Sequence, residues 1–382
     1  MNTRFNRVLI LSASAGAGHT RAAEALASAF KLAGAAGEIQ HVDTLKHTNR
    51  VFKHLYTDAY YRLVKSFPSL LGWLYKQSDR PWKNQKRRLM FDKLNTRPMV
   101  RMIREFKPDL IVATHFLPAE IGAYLKRKGK LDCPIGVVVT DFDAHAMWLT
   151  KPIDHYFVAL DETKAHLEAL SIGTSVHVTG IPIDPVFSES PSRGEAAAQV
   201  EIDPSRPAIL MSAGSFGRKK IPYLIKAVAQ LQTPAQVVII SGRNVKLHKA
   251  VLETVVSIGD TNVTFKPIGF TEKMHVYMSA ADVMLGKPGG LTMSESLAKG
   301  LGFVVVNPIP GQEERNADHL LERGCAIKIN NLPALAFKVD GLLGDPQRLA
   351  TMQSNARALA KPQAATEIVR ILTSSLSASG PG

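Results

Sequence analysis

Val283-Met284-Leu285-Gly286-Lys287-Pro288-Gly289-Gly290-Leu291-Thr292-Met293-Ser294-Glu295-Ser296-Leu297-Ala298-Lys299-Gly300 reads as one strand, one turn and one helix. The apolar run 283–285 is short enough for a strand, and Pro288-Gly289-Gly290 interrupts it. A helix that opens on glycines offers bare backbone amides at the positive end of its dipole, an anion site that needs no metal. Glu295 has two competing explanations. Thr292-x-x-Glu295 has the spacing of a capping box, in which the carboxylate folds back on the helix's first amide. The other reading has Glu295 accept hydrogen bonds from ribose hydroxyls, as acidic groups do in nucleotide-binding folds. Spacing alone favours the cap.

The same strand–turn–helix rhythm runs through the chain. Apolar β-rich runs at 8–11, 39–42, 110–113, 135–140, 156–159 and 176–178 alternate with helical patterns in the first half. Runs at 209–212, 237–241, 263–266, 283–285, 304–306 and 327–329 repeat the scheme. Such alternation implies parallel sheets covered by helices. The expected fold class is therefore α/β, with two Rossmann-like doubly wound domains facing a cleft. Residues 1–184 are expected to form the first and 208–362 the second. Residues 185–207, with Pro185, Pro191, Pro204 and Pro207, read as a linker with one helical turn. Residues 363–382 read as a terminal helix and a small, polar tail.

At 382 residues the chain is too long for one ordinary core. Apolar residues make up 45% and charged residues 21%, the usage of a folded globular protein. Cys133 and Cys325 are the two cysteines, which argues against a disulfide framework or cysteine metal site and fits a reducing cytoplasm. The apolar start resembles a signal peptide only superficially, because Gly16, Gly18, His19, Arg21 and Glu24 interrupt it. No run approaches the roughly 18 apolar residues that a membrane-spanning helix needs. The net charge of +14 calls for an acidic partner: nucleic acid, nucleotide or anionic membrane.

Half of that charge sits in one insertion. Between Thr44 and Pro108 the strand rhythm stops, and aromatic and basic residues take over, including Trp73, Tyr75, Trp82, Arg87 and Arg88. Rings that partition to the headgroup layer and cations that pair with phosphates suit contact with an anionic bilayer. The competing reading is a helical layer whose aromatics pack on the sheet and whose lysines are solvated.

The remaining motifs follow strand ends. Ser12-Ala13-Ser14-Ala15-Gly16-Ala17-Gly18-His19 opens a helix but departs from the Gly-x-Gly-x-x-Gly dinucleotide pattern, which disfavours a nicotinamide cofactor. His19 reads either as a general base or as a helix cap. Thr140-Asp141-Phe142-Asp143-Ala144-His145 places two carboxylates and an imidazole where they could contact an acceptor or orient a base. Asp141 could equally cap a helix, and a metal site lacks further clustered ligands. Ser212-Ala213-Gly214-Ser215-Phe216-Gly217, with Arg218, Lys219 and Lys220 next, suits a phosphate-binding turn. In Ser241-Gly242-Arg243-Asn244, Arg243 either leans into the cleft or sits in solvent. Asn307-Pro308-Ile309-Pro310-Gly311-Gln312-Glu313-Glu314-Arg315-Asn316 presents amides and carboxylates suited to sugar hydroxyls.

From about Val8 to about Leu372 the chain resembles the monogalactosyldiacylglycerol synthases and processive diacylglycerol glucosyltransferases. More distantly it resembles the peptidoglycan-lipid N-acetylglucosaminyltransferase. Residues 287–316 are the most specific part, with Gly180-Ile181-Pro182-Ile183, Ser241-Gly242-Arg243-Asn244 and Gly269-Phe270-Thr271 in agreement. The resemblance implies a GT-B fold and an inverting transferase that moves a hexose from a UDP-sugar to a diacylglycerol-type lipid, with no metal or other cofactor. It implies uracil recognition at Phe270 and Thr271, and pyrophosphate binding at Ser215 and at Gly289, Gly290, Leu291 and Thr292. It further implies ribose binding at Glu295, donor sugar at Gln312 and Glu313, and His19 as the acceptor base. It places the lipid and membrane face in the 44–93 insertion, and Gly18 and His145 are further candidates for the acceptor side. Glu295 thereby turns from cap to ribose ligand. Family members often have a denser glycine run before the histidine than Ala15-Gly16-Ala17-Gly18. The implied partners are a UDP-hexose, diacylglycerol and the anionic inner face of the cell membrane, with the protein attached peripherally and no nucleic acid. Two rival readings are a UDP-sugar 2-epimerase of the same fold and a non-enzymatic basic protein that binds nucleic acid or membrane.

Overall fold

Strand β1 (Phe5–Ser12) shows why residues 8–11 are continuously apolar: both faces of that stretch are buried. Leu9 and Leu11 point into one core layer, and Val8 and Ile10 into another. In the computed structural model, which describes residues 4–14, 16–49, 67–82, 97–189 and 191–378, this strand sits inside a six-stranded parallel sheet. Its neighbours are β2 (Ala36–Asp43), β3 (Leu110–Ala113), β4 (Ile135–Val138), β5 (His155–Val158) and β6 (Ser175–Val178), in the order β2-β1-β3-β4-β5-β6. The strand order reverses between β1 and β3, where Leu11 pairs with Ala113. Open parallel sheets bind ligands beyond the carboxyl ends of their strands at such a reversal.

Helices cover both faces of this sheet. Helix α1 (Ala17–Leu32) lays Leu26 and Phe30 on the Val8–Ile10 side, together with Ile368, Val369 and Leu372 of the C-terminal helix Ala364–Ala378. On the other face lie Met99 and Ile103 of Arg97–Phe106 and Leu117, Ile121 and Leu125 of Phe116–Arg127. A further helix, α2 (Pro68–Ser78), belongs to the insertion. Arg87 and Arg88 lie outside the described residues.

The second sheet is also parallel. Strands β7 (Ala208–Ser212), β8 (Ala235–Ile240), β9 (Val263–Ile268), β10 (Val283–Gly286), β11 (Gly302–Val306) and β12 (Ala326–Ile329) take the order β12-β11-β10-β7-β8-β9. Counted from β7, this is the doubly wound dinucleotide-fold order 3-2-1-4-5-6. Its reversal lies between β7 and β10, where Leu285 pairs with Met211.

The chain divides into two compact units, one made of the described residues of 1–185, 309–315 and 361–382, the other of 186–308 and 316–360. The sequence reading set a linker at 185–207 and a separate end at 363–382. In the structure residues from 186 count with the second unit, and the terminal helix counts with the first. Arg193–Gln199 is a helix held by a Ser192–Glu195 capping box. Arg193 Nη2 bonds Asp282 Oδ2 at 2.8 Å, and the same oxygen accepts the Ala208 amide at 2.8 Å.

Gly180 shows how tightly the terminal helix is seated. Its φ is +88°, and a Cβ there would lie 2.4 Å from Lys361 Cβ and 3.3 Å from Ala364 Cβ. Gly180→Ala is expected to destabilise the fold by roughly 2–4 kcal/mol, from left-handed backbone strain plus a clash in a packed site. Gly129→Ala, at φ +60° with nothing within 4 Å, carries the backbone part alone. Equal losses for both in urea denaturation would contradict the packing argument.

Candidate functional site

In the first unit the β1 and β3 strand ends converge on His19. Helix α1 starts at Ala17 with Gly16 as an N-cap that makes no side-chain cap bond, so His19 does not cap it. The ring turns towards β3 instead. Its Nδ1 lies 2.8 Å from the Thr114 carbonyl oxygen and 2.9 Å from Thr140 Oγ1. A carbonyl oxygen can only accept, so Nδ1 carries the proton and Nε2 carries the lone pair. Thr114 Oγ1 in turn donates to the His19 carbonyl at 2.8 Å. Burial pushes the His19 pKa below its ordinary 6.5, while the charge of Asp141 and the Thr114 carbonyl oppose the shift. The result is a neutral imidazole with an oriented base. Gly18 lies one residue before it, in the same first turn.

His115, at the end of β3, is a neighbour that the sequence reading missed. It meets His19 edge-on at 4.6 Å between ring centroids and is buried. Its Nδ1 accepts the Leu117 amide at 3.1 Å. Burial and then the charge of His19 push its pKa well below the ordinary value. It follows a strand end just as His19 and Asp141 do, and that position was the available signal.

The 141–145 cluster is built in, and each member has protein partners. Both carboxylate oxygens of Asp141 accept from Gln312 Nε2 at 2.8 Å, and the helical turn that follows, Ala146–Trp148, has His145 and not Asp141 as its N-cap. Asp143 accepts from Arg315 Nη1 at 2.9 Å. His145 caps the short turn Ala146–Trp148 by accepting the Met147 amide on Nδ1, and its Nε2 donates to the Tyr75 carbonyl at 3.0 Å. Arg315 Nη2 also donates to Asp79 Oδ2 at 2.5 Å. Burial pushes the Asp79 carboxyl up, but the Ala146 amide, His145 and Arg315 together hold it below its ordinary value. Arg315 and Asp79 carried no readable signal in the sequence.

On α2 the predicted aromatics divide. Tyr75 packs inward against the His145 ring at 4.2 Å between centroids, and burial, then Asp141, push its phenol well above the ordinary value. Phe67, Leu70, Trp73 and Leu74 are exposed, Trp73 to 57%. Trp82 is more than one-third exposed, with Lys151 Nζ 4.6 Å from its ring centroid.

In the second unit the candidate residues lie beyond the carboxyl ends of β7, β8, β9 and β10. After β7, Ser215 Oγ donates to the Ser212 carbonyl at 3.1 Å. A Cβ at Gly214 or Gly217 would meet nothing within 4 Å, so the turn is open, and Arg218, Lys219 and Lys220 beside it are exposed. After β8, Asn244 Oδ1 caps the next helix by accepting the Leu247 amide. Arg243 is exposed, and its guanidinium carbon stands 3.8 Å from the Phe270 ring centroid. Phe270 is half exposed, and Thr271 Oγ1 accepts the Lys273 amide at 3.0 Å.

The turn after β10 excludes the capping-box reading of Glu295. The helix runs Gly290–Ala298 with Gly289 as an extended N-cap that makes no side-chain cap bond. Thr292 therefore lies inside the first turn, and the expected Thr292–Glu295 capping box does not form. Capping requires a non-helical residue at the Thr position, and the Pro-Gly-Gly turn starts the helix earlier. Glu295 is instead buried, 2% exposed, on the second turn. Leu291 is buried, and the Gly290, Leu291 and Thr292 amides form the helix's opening turn. Asn316 Nδ2 donates to the Pro288 carbonyl at 3.2 Å and braces the turn. Gln312, as described, reaches Asp141, and Glu313 Oε2 accepts the Ile309 amide at 2.6 Å within its own turn.

Comparison with known proteins follows the same division. Residues 19–183 match the monogalactosyldiacylglycerol (MGDG) synthase family model, and residues 208–368 match the glycosyltransferase family 28 C-terminal domain. The processive diacylglycerol beta-glucosyltransferase of Bacillus subtilis is 30% identical over 366 residues, covering 94% of this chain and 92% of the relative. That of Staphylococcus epidermidis is 30% identical, covering 93% and 89%. Among solved structures, MurG of Acinetobacter baumannii superposes with a TM-score of 0.64 at 18% identity over 97% of this chain and 99% of that one. A UDP-GlcNAc 2-epimerase from Neisseria meningitidis gives 0.59 at 16% identity over 96% and 100%. The fold of two Rossmann-like domains is thus shared by transferases and epimerases, and full-length sequence identity distinguishes them. This chain belongs to the family of the processive diacylglycerol beta-glucosyltransferases and monogalactosyldiacylglycerol synthases.

Proposed function

We propose that the protein transfers a hexose from a UDP-sugar to the hydroxyl of a diacylglycerol-type lipid, with inversion at the anomeric carbon. The observation that carries this reading is the fixed tautomer of His19, which leaves Nε2 unprotonated as a base. In the step proposed, Nε2 takes the lipid hydroxyl proton while that oxygen forms a bond to the anomeric carbon. The bond from that carbon to the diphosphate breaks, and UDP leaves with the electron pair. Asp141, whose charge raises the basicity of His19, stabilises the imidazolium that results.

The second unit is the donor side. Gly289, Gly290, Leu291 and Thr292, with Ser215 and the cations at 218–220, receive the diphosphate, so that helix amides and fixed charge stabilise the leaving group without a metal. Phe270 and Thr271 take the uracil beside Arg243, and Glu295 takes the ribose. Gln312 and Glu313 act on the donor sugar from the 309–315 turn.

Among the described residues no helix is long and apolar enough to cross a membrane. The exposed face of α2, with Phe67, Leu70, Trp73 and Leu74, supports peripheral attachment to the inner face of the cell membrane, as do Trp82 and the basic insertion. Arg87 and Arg88 are assigned to the same surface on sequence alone. UDP release measured with a UDP-hexose is expected to depend on diacylglycerol vesicles. Release or epimerisation of the donor at the same rate without lipid would support the 2-epimerase reading and reject this one.

A further inference from the structure

We infer that Arg315 is a positioning residue for the transfer, clasping the turn that carries Gln312 against α2 and the 141–145 loop. The inference rests on the reading of His19 and Asp141 given above. One planar guanidinium bonds carboxylates from two separate segments, Asp143 at 2.9 Å and Asp79 at 2.5 Å. Its carbon also lies 5.2 Å from the Tyr75 ring centroid. A fork of this kind fixes direction as well as charge, which an ammonium cannot do.

The contact is seated by shape. Gly311 has φ +89°, and a Cβ there would fall 2.6 Å from Tyr75 ring atoms, while a Cβ on Gly72 would fall 2.9 Å from Pro310 Cβ. The turn and α2 therefore meet with no room for a side chain between them. Asp79, the residue that ends α2, gives its other oxygen to the Ala146 amide at 2.8 Å, so the anchor is itself anchored.

Gln312 and Arg315 are three positions apart, which puts both on one side of the helix that starts at Gln312. With Arg315 clasped, the Gln312 amide reaches both oxygens of Asp141, whose charge acts on His19. Arg315 thus touches neither proposed substrate nor base. It works through Gln312, and it ties that group to the helix whose outer face is apolar.

The test uses the full chain with diacylglycerol vesicles and a UDP-hexose. Arg315→Gln is expected to lower kcat roughly 30- to 100-fold, the order that a 1 Å misplacement costs, with KM for the UDP-hexose within about threefold. Arg315→Lys, which keeps the cation, should recover about 3- to 10-fold of that loss. In a Gln312→Ala background, Arg315→Gln should add no further loss, because the group it positions is gone. Wild-type kcat in Arg315→Gln, or a loss that multiplies in full on Gln312→Ala, overturns the inference. If Arg315→Gln does not fold, Arg315→Lys still decides: a kcat below wild type at unchanged KM supports the clasp, and wild-type kcat rejects it. His19→Ala measured alongside separates the two claims. Turnover retained by His19→Ala sinks the catalytic reading, whereas an inactive His19→Ala with an unaffected Arg315→Gln sinks this inference alone.

Discussion

Replacing His19 by alanine is expected to lower kcat roughly 10²- to 10⁴-fold, the range that a positioned general base contributes. UDP affinity should stay unchanged, because the groups proposed to bind uracil, ribose and diphosphate belong to the other unit. The pH dependence follows from the direction of the shift. Burial lowers the His19 pKa below 6.5, and the base works only when Nε2 is unprotonated. Activity is therefore full above that lowered value and is lost as pH falls through it. Asp141→Asn removes a charge that opposes the lowering, so the acid limb should move to still lower pH as kcat drops. A pH profile of kcat/KM checks both. An acid limb that moves upward in Asp141→Asn would show that Asp141 does not act on His19.

The second large effect is expected at Glu295. Its carboxylate is buried on the helix that opens at Gly290, and it is not used as a cap. Loss of hydrogen bonds between a charged group and ribose hydroxyls costs about 1.5–3 kcal/mol, so Glu295→Gln should weaken UDP binding roughly 10- to 150-fold. The isosteric amide keeps the packing, so calorimetry on a normally folded variant isolates the charge. An unchanged UDP affinity would assign Glu295 to structure alone.

The fold was legible because strands buried on both faces must be continuously apolar, and runs such as 8–11, 209–211 and 283–285 are. The strand ends were legible for the same reason, since a polar cluster directly after a buried run has few other places to be. The Glu295 cap failed because Thr-x-x-Glu spacing also occurs inside helices, and the glycines ahead of Thr292 had already started this one. The Gln312–Asp141 and Arg315–Asp79 contacts join residues 171 and 236 positions apart. Neither side of such a pair carries a local pattern, so reading from residue types could nominate Gln312 and Asp141 separately but could not join them. His115 was overlooked for a different reason. A lone imidazole after a strand has no motif around it, and its pairing with His19 exists only because β1 and β3 are neighbours.

The most direct measurement is the chemical identity of the lipid product. The protein would be incubated with diacylglycerol vesicles and UDP-glucose or UDP-galactose, and the extracted lipid analysed by mass spectrometry and proton NMR. The account predicts a diacylglycerol bearing a β-linked hexose, formed by the wild type and absent with His19→Ala. An α-linked product would contradict inversion, and unmodified lipid beside an epimerised or hydrolysed UDP-sugar would contradict the transfer itself.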